Sequence, residues 1–326
     1  MDRSQRAGVS LVEVLVVIAI LGILMAIILP AVQNVRETSR KSSCQNRMRQ
    51  LGLAFANVES AHRAFPTNRD VYKQILPHLG HQANYDFLIN NSRVSSPEVV
   101  QEFSCPSDTM PIIAEFGQLA SYRLNEGTKF GEQSGQHKHY NGFQKFNSYN
   151  LLDQSFVSLN TPASAITDGL SQTAALSERL RYREGTRYLI AEPTPTTLAR
   201  ETGRYAWFIS EPQPSPGAEL PMREQCQHHR TVPSDWDGGH APLTGADRGY
   251  NHLLGPNHPA CINAVSSNRW GYSSEETILP PSSSHRGGVN VLFADGSLHF
   301  IQNQVDLDVW MALGTRSNNE PFQHQF

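Results

Sequence analysis

Sixteen consecutive apolar or glycine residues, Val14 through Leu29, follow a single carboxylate, Glu13, near the start of the chain. Leu11 to Val32 covers 22 residues, roughly 33 Å as a helix against a hydrocarbon core of about 30 Å. A carboxylate at the edge of such a run is costly without a partner, which marks Glu13 as functional by default. The pattern then changes rather than stops. Cys44, Met48, Leu51, Phe55 and Val58 recur at helical spacing, and Arg36, Glu37, Arg40, Lys41, Gln45, Asn46, Arg47, Arg49 and Gln50 fill the remaining faces. Pro66 limits extension beyond His62 to Phe65. One helix from Val9 to about His62 is expected, apolar all round at first and amphipathic afterwards.

Beyond Pro66 the apolar positions cluster in short runs. Val71 to Leu79 reads as a short helix broken at Pro77, and Ile112 to Phe116 and Ser121 to Leu124 as strands. Gln133 to Gly142 reads as a polar loop, although His137 and His139 would share a face if it were a strand. Asp168-Gly169 is a turn leading into a strand over Ala174 to Glu178, and Tyr205 to Ile209 is a short strand rich in aromatics. Residues 212–260 hold eight prolines and read as an inserted, loop-rich surface region, the natural place for recognition. Val289, Val291 and Phe293 alternate toward Asp295-Gly296, and Leu298 to Ile301 return, a strong hairpin signal. Leu307 to Leu313 reads as a last short helix.

Composition changes this picture little. The chain has 326 residues, 39% apolar and 17% charged, with a net charge of −3, which gives no reason to expect nucleic acid as a partner. Charge flanks do not orient the membrane span, because Arg3 and Arg6 precede it while Arg36, Arg40, Lys41, Arg47 and Arg49 follow it. The four cysteines, Cys44, Cys105, Cys226 and Cys261, form no CxxC pair and suit disulfides in an exported chain. Three pairings are open; Cys44–Cys105 with Cys226–Cys261 closes the shorter loops.

The N-terminal stretch Gly8-Val9-Ser10-Leu11-Val12-Glu13, with its short basic leader, resembles the prepilin-type signal of type IV pilins and type II secretion pseudopilins. Cleavage after Gly8 would make Val9 the new N-terminus, where the family more often has Phe or Met. Glu13 would become the fifth residue of the mature chain and Pro30 the twenty-second, where pilin helices commonly carry a kinking proline. No small-residue cleavage site of the ordinary secretory kind follows Leu29. Farther on, nine residues, Arg286 through Ala294, separate His285 from Asp295-Gly296. With Ser104-Cys105-Pro106-Ser107-Asp108 and Ile166-Thr167-Asp168-Gly169-Leu170-Ser171, they resemble the DUF1559 family, which joins a prepilin-type N-terminus to a C-terminal H-X9-DG signature.

The resemblance implies an α+β, pilin-like fold. Residues 1–8 form the leader and 9–65 the long helix, membrane-spanning over 9–32 and amphipathic over 33–65. Residues 66–326 form an antiparallel β-rich head with a loop-rich insertion. It also implies cleavage by a prepilin peptidase and assembly with other pilin or pseudopilin subunits in a bacterial inner membrane. The head would then stand outside the cytoplasm, in the periplasm or at the cell surface. Glu13 would pair with the α-amino group of a neighbouring subunit. The alternative role is a membrane-held binding protein or adhesin using residues 212–260.

The candidate chemistry is thin. His285 and Asp295 could be a metal or acid–base pair, but Ser282, Ser283 and Ser284 sit in no G-x-S-x-G elbow, and the hairpin explains both residues. Cys226-Gln227-His228-His229 and His258-Pro259-Ala260-Cys261 have zinc-like spacing, although a disulfide uses the same cysteines. Ser234-Asp235-Trp236-Asp237-Gly238-Gly239 offers oxygens for calcium without the distant glutamate of an EF-hand. The expectation is a non-enzymatic subunit without a cofactor, calcium being the leading candidate ion.

Overall fold

A computed structural model of the chain describes residues 11–67, 71–90, 99–109, 120–129, 132–134, 137–139, 141–143, 146–150, 155–181, 206–209, 219–228, 232–234, 249–263 and 277–318. The Gly8–Val9 cleavage point, the strand expected at Ile112 to Phe116 and the calcium candidates Asp235 and Asp237 lie outside these residues.

The long helix α1 runs from Leu11 to His62, 52 residues or roughly 78 Å, without interruption at Pro30. Its two halves live in different surroundings. From Leu11 to Val35 the large apolar side chains are exposed, and this half is long and apolar enough to cross a membrane. From Cys44 onward Cys44, Met48, Leu51, Ala54, Phe55 and Val58 are buried. The helix ends where Arg63 turns left-handed at φ 56°, which satisfies a terminal carbonyl through Arg63 N–H to Glu59 O at 2.6 Å. Phe65 and Thr161 then exchange backbone hydrogen bonds of 2.8 and 3.3 Å, which tie the chain to the head.

Short pieces follow: α2 (Val71–Ile75), a 3-10 turn at Pro77–Leu79 and α3 (Gln82–Asn90). The central sheet has the order β13-β12-β6-β1-β9, from β1 (Tyr122–Gly127), β6 (Ala174–Glu178), β9 (Tyr250–Asn251), β12 (Gly288–Phe293) and β13 (Leu298–Gln302). Its pairs are antiparallel except β1 with β9, which is parallel. A second sheet runs β11-β10-β7-β8, from β7 (Ala206–Ile209), β8 (Val232–Ser234), β10 (Ala260–Asn263) and β11 (Thr277–Ile278), with β7 parallel to β10. The head is therefore mixed rather than purely antiparallel, because the strands β9 and β10 return from long excursions instead of tight hairpins. A third sheet, β2-β3-β4-β5, is an antiparallel meander of β2 (Glu132–Ser134), β3 (His137–His139), β4 (Phe146–Asn150) and β5 (Ser155–Leu159).

β12 shows how the central sheet is filled. Val289, Val291 and Phe293 join Tyr250, Ile301, Trp310 and Leu313 in a core on one face. Leu292 joins Met48, Leu51, Phe55 and Leu124 on the other, against α1. Strand alternation thus places the C-terminal helix α5 (Leu307–Leu313) and α1 on opposite sides. Asp306 caps α5, its carboxylate accepting from Asp308 N and Val309 N.

Two readings are corrected. The stretch Gln133 to Gly142, read as a loop, contains strand: Gln133 pairs with Lys138 and Ser134 with His137 between β2 and β3. Backbone pairing onto β4 and β5 holds these polar strands, so no apolar alternation announces them. Residues 212–260 are not wholly an external insertion either. They contain α4 (Glu219–His228), and Tyr250, Asn251, His252, Leu253 and Leu254 are buried. Trp310 explains the second point, since its indole N–H donates to Leu254 O at 2.9 Å and its ring stacks on His252.

Candidate functional site

The membrane-facing half of α1 presents one continuous apolar surface. Leu11, Val12, Leu15, Ile18, Ile23, Met25 and Leu29 are all at least half exposed, and Glu13 lies in the first turn of α1. Exposed apolar surface of this extent marks a membrane or subunit contact. Glu13 and Pro30 both fall within this half.

The other half of α1 is locked to the head at one polar cluster. Glu37, Lys41, Cys44, Gln45 and Met48 follow helical spacing and turn the same way, toward the edge of the central sheet. His285 sits under this face, 4% exposed. Its Nδ1 lies 2.9 Å from Glu37 Oε1 and its Nε2 3.2 Å from Glu178 Oε1. Both ring nitrogens face carboxylates, so the doubly protonated imidazolium satisfies both. Burial alone would lower the His285 pKa. The hydrogen bonds and negative charge of Glu178 and then Glu37 outweigh it and raise the pKa above the ordinary histidine value.

The carboxylates are themselves held. Glu178 accepts from Asn290 N and Asn290 Nδ2, both at 2.9 Å. Glu37 accepts from Ser107 Oγ at 3.2 Å. Gln45 Nε2 donates to Asn290 Oδ1 at 3.0 Å, and Lys41 Nζ stands 3.1 Å from the centre of the Phe300 ring, a cation–π contact. Lys41, Gln45 and Arg47, assigned by periodicity to the remaining faces, thus all reach the head; Arg47 Nη1 donates to Ser104 O. Two of the five basic residues that follow the apolar span, Lys41 and Arg47, thus belong to the head interface.

A disulfide joins Cys44 to Cys105 beside His285, whose Nε2 is 3.7 Å from Cys105 Sγ. The Ser104-Cys105-Pro106-Ser107-Asp108 turn is anchored from behind. Arg181 Nε donates to Asp108 Oδ2 at 2.9 Å and its Nη2 to Asp108 O at 2.7 Å, an ion pair buried on both sides. Cys226 and Cys261 form the second disulfide, which removes both thiols from the zinc-like spacing seen in the sequence. His228 closes α4 and His258 N–H donates to Gly255 O.

The signature residues divide their work. His285 belongs to the buried cluster. Asp295 is exposed in the β12–β13 turn, where its Oδ1 accepts from Ser297 N at 2.8 Å, and Gly296 there has φ 86°. The nearby serines are used structurally: Ser282 Oγ accepts from Leu180 N, and Ser283 Oγ donates to Gly288 O. Sequence reasoning missed Glu37, Glu178 and Asn290. Glu37 could have been found from Cys44, seven residues on and on the same helix face, once Cys44 was paired with Cys105. Asn290 carried a signal too, as a polar residue on the α1-facing side of an otherwise apolar strand.

A long apolar helix locked by an ion pair and a disulfide to an α+β head is consistent with a type IV pilin-like, membrane-anchored, exported subunit, and the N-terminal motif supports that class. The chain belongs to the family described as "Protein of unknown function (DUF1559)", whose model matches residues 33–308. Residues 3–29 match the prokaryotic N-terminal methylation motif. No curated protein and no solved structure matches the chain.

Proposed function

We propose that this protein is a pseudopilin-like structural subunit that acts without catalysis and without a cofactor in its mature form. A prepilin peptidase cleaves it after Gly8. Its apolar helix then packs with those of other subunits in a type II secretion or type IV pilus-like filament. The precursor sits in the bacterial inner membrane with its head outside the cytoplasm, a placement supported by two disulfides.

The observation that carries this reading is the division of α1: its C-terminal half is sealed into the head while its N-terminal half is exposed along its length. A simple anchor needs no rigid coupling between membrane and head. A filament subunit does, because the position of the head must follow from the packing of the helix. Glu13 serves assembly in this account, pairing with the α-amino group of Val9 of a neighbouring subunit. A paired carboxylate is tolerable in an apolar bundle where a lone one is expensive.

The test substitutes Glu13→Ala and Glu13→Leu in the full chain. Both variants should insert in the membrane and carry an oxidised head, yet fail to enter filaments. Normal incorporation of either would overturn the assembly role. N-terminal sequencing of the mature wild-type chain should begin at Val9; a chain retaining Met1 would overturn the processing step.

A further inference from the structure

We propose that the dithiol form of this protein, before Cys44 and Cys105 are joined, holds a Zn²⁺-class divalent cation through Cys44, Cys105, His285 and Glu178. The donor atoms of these four residues lie within 4.8 Å of one another, and all four residues are buried. Two sulfurs, one imidazole nitrogen and one carboxylate oxygen suit a tetrahedral zinc site better than a calcium or magnesium site. Bonds of about 2.0–2.3 Å place tetrahedral donors roughly 3.3–3.8 Å apart. The distances from His285 Nε2 to Glu178 Oε1, 3.2 Å, and to Cys105 Sγ, 3.7 Å, are close to that spacing.

The surrounding shell is already built as metal sites require. His285 turns Nε2 toward the sulfurs and gives Nδ1 to Glu37 Oε1 at 2.9 Å. This is the carboxylate–histidine arrangement that fixes a ligating imidazole. Ser107 Oγ holds Glu37 in turn, and Asn290 fixes Glu178 with two hydrogen bonds. A disulfide alone requires none of these partners for His285 or Glu178.

The chemistry balances. A dithiol reductant passes two electrons and two protons to the Cys44–Cys105 bond and becomes a disulfide itself. The cation then displaces the two thiol protons and the proton on His285 Nε2. Re-oxidation by a disulfide-donating oxidoreductase reforms the sulfur–sulfur bond, releases the cation and reduces the donor. Metal and disulfide are mutually exclusive states of one junction, and each ties α1 to the head.

The test uses the full chain in detergent micelles with Cys226→Ser and Cys261→Ser, so that a single dithiol is present. The chain is reduced with a phosphine, freed of reductant without air, and titrated with Co²⁺ and then Zn²⁺. Equimolar Co²⁺ should give thiolate charge-transfer absorption and tetrahedral d–d bands that Zn²⁺ bleaches. Glu37→Gln should weaken binding by about 10–100-fold, and Zn²⁺ should protect Cys44 and Cys105 from alkylation. If reduction alone unfolds the head, Zn²⁺ should restore the native circular dichroism. Equal binding by the oxidised chain would overturn the proposal. So would binding retained after Cys44→Ser with Cys105→Ser, no metal uptake, or no recovery of fold.

Discussion

His285 and Glu37 are 248 residues apart and meet at 2.9 Å, and through this contact the last third of the chain grips the helix that enters the membrane. Glu37 lies two residues beyond Val35, the last exposed large apolar residue of that half of α1, so the contact holds the helix just past its apolar stretch. Glu178 closes the other side of the ring and is itself buried in the sheet. Removing the imidazolium leaves buried Glu178 facing Asn290 without the cation that contacts it directly. His285→Ala should therefore destabilise the head by about 3 kcal/mol, the scale for breaking a buried pair from one side. Chemical denaturation in micelles measures this, and His285→Gln should recover part of the loss. Wild-type stability for both variants would mean the cluster is incidental.

The Cys44–Cys105 bond spans 61 residues and links α1 to the turn that precedes the central sheet. The Cys226–Cys261 bond spans 35 and stays within the second sheet and α4. Loop-closure entropy predicts that replacing either pair by serine costs about 3–4 kcal/mol, slightly more for the longer loop. Their mechanical consequences differ. Limited proteolysis after Cys44→Ser with Cys105→Ser should cut between residues 33 and 62 of α1. After Cys226→Ser with Cys261→Ser, the cuts should fall within the second sheet and its helix. Matching cleavage patterns would contradict the separation.

How far the sequence carried depended on what each element needed. α1, β6, the β12–β13 hairpin and α5 were legible because each buries an apolar stripe of its own or carries a turn dipeptide. The β2–β3 hairpin was not, since Glu132, Gln133, His137 and Lys138 show no alternation and the strands exist through pairing with β4. Tyr250 to Leu254 were lost among prolines because their burial depends on Trp310, some sixty residues away. The same reason hid most of the polar cluster. Glu37, Glu178 and His285 are ordinary surface residues until a helix, a central strand and a loop converge. Only the His285 signature and the two cysteines pointed there.

Gly287 and Gly288 beside His285 serve different ends, and their alanine variants should rank accordingly. Gly287 adopts φ 85° with open space where a Cβ would be, so Gly287→Ala costs only backbone strain, about 1–2 kcal/mol. At Gly288 a Cβ would come 2.1 Å from Ile301 O, a backbone atom in the adjacent strand. Gly288→Ala must push β12 and β13 apart and should cost more, roughly 3 kcal/mol. Thermal unfolding of the two variants gives the order directly; equal losses would refute the close-approach argument.

His252 makes the fold sensitive to acid. Its ring is fully buried, stacks on Trp310 with centroids 3.8 Å apart, and brings Nδ1 to 2.6 Å from Trp310 O. Tyr250 OH lies 3.2 Å from Nε2, and burial raises the tyrosine pKa well above its usual value, so no anion is available there to hold a charged ring. Burial pushes the His252 pKa down to about 3, the bond to Trp310 O offsetting only part of the shift. In the unfolded chain the ring titrates near the ordinary value of about 6.5. Between these values the unfolded state binds the extra proton, so stability falls as pH falls through that window, by at most about 1.4 kcal/mol per pH unit. His252→Phe keeps an aromatic against Trp310 and removes the titration. It should cost about 1–3 kcal/mol at neutral pH through the orphaned Trp310 carbonyl, and lose stability less steeply than wild type toward pH 4. Urea unfolding of both proteins at pH 7 and pH 4.5 separates the two effects. A slope unchanged by the substitution would place the acid sensitivity elsewhere in the head.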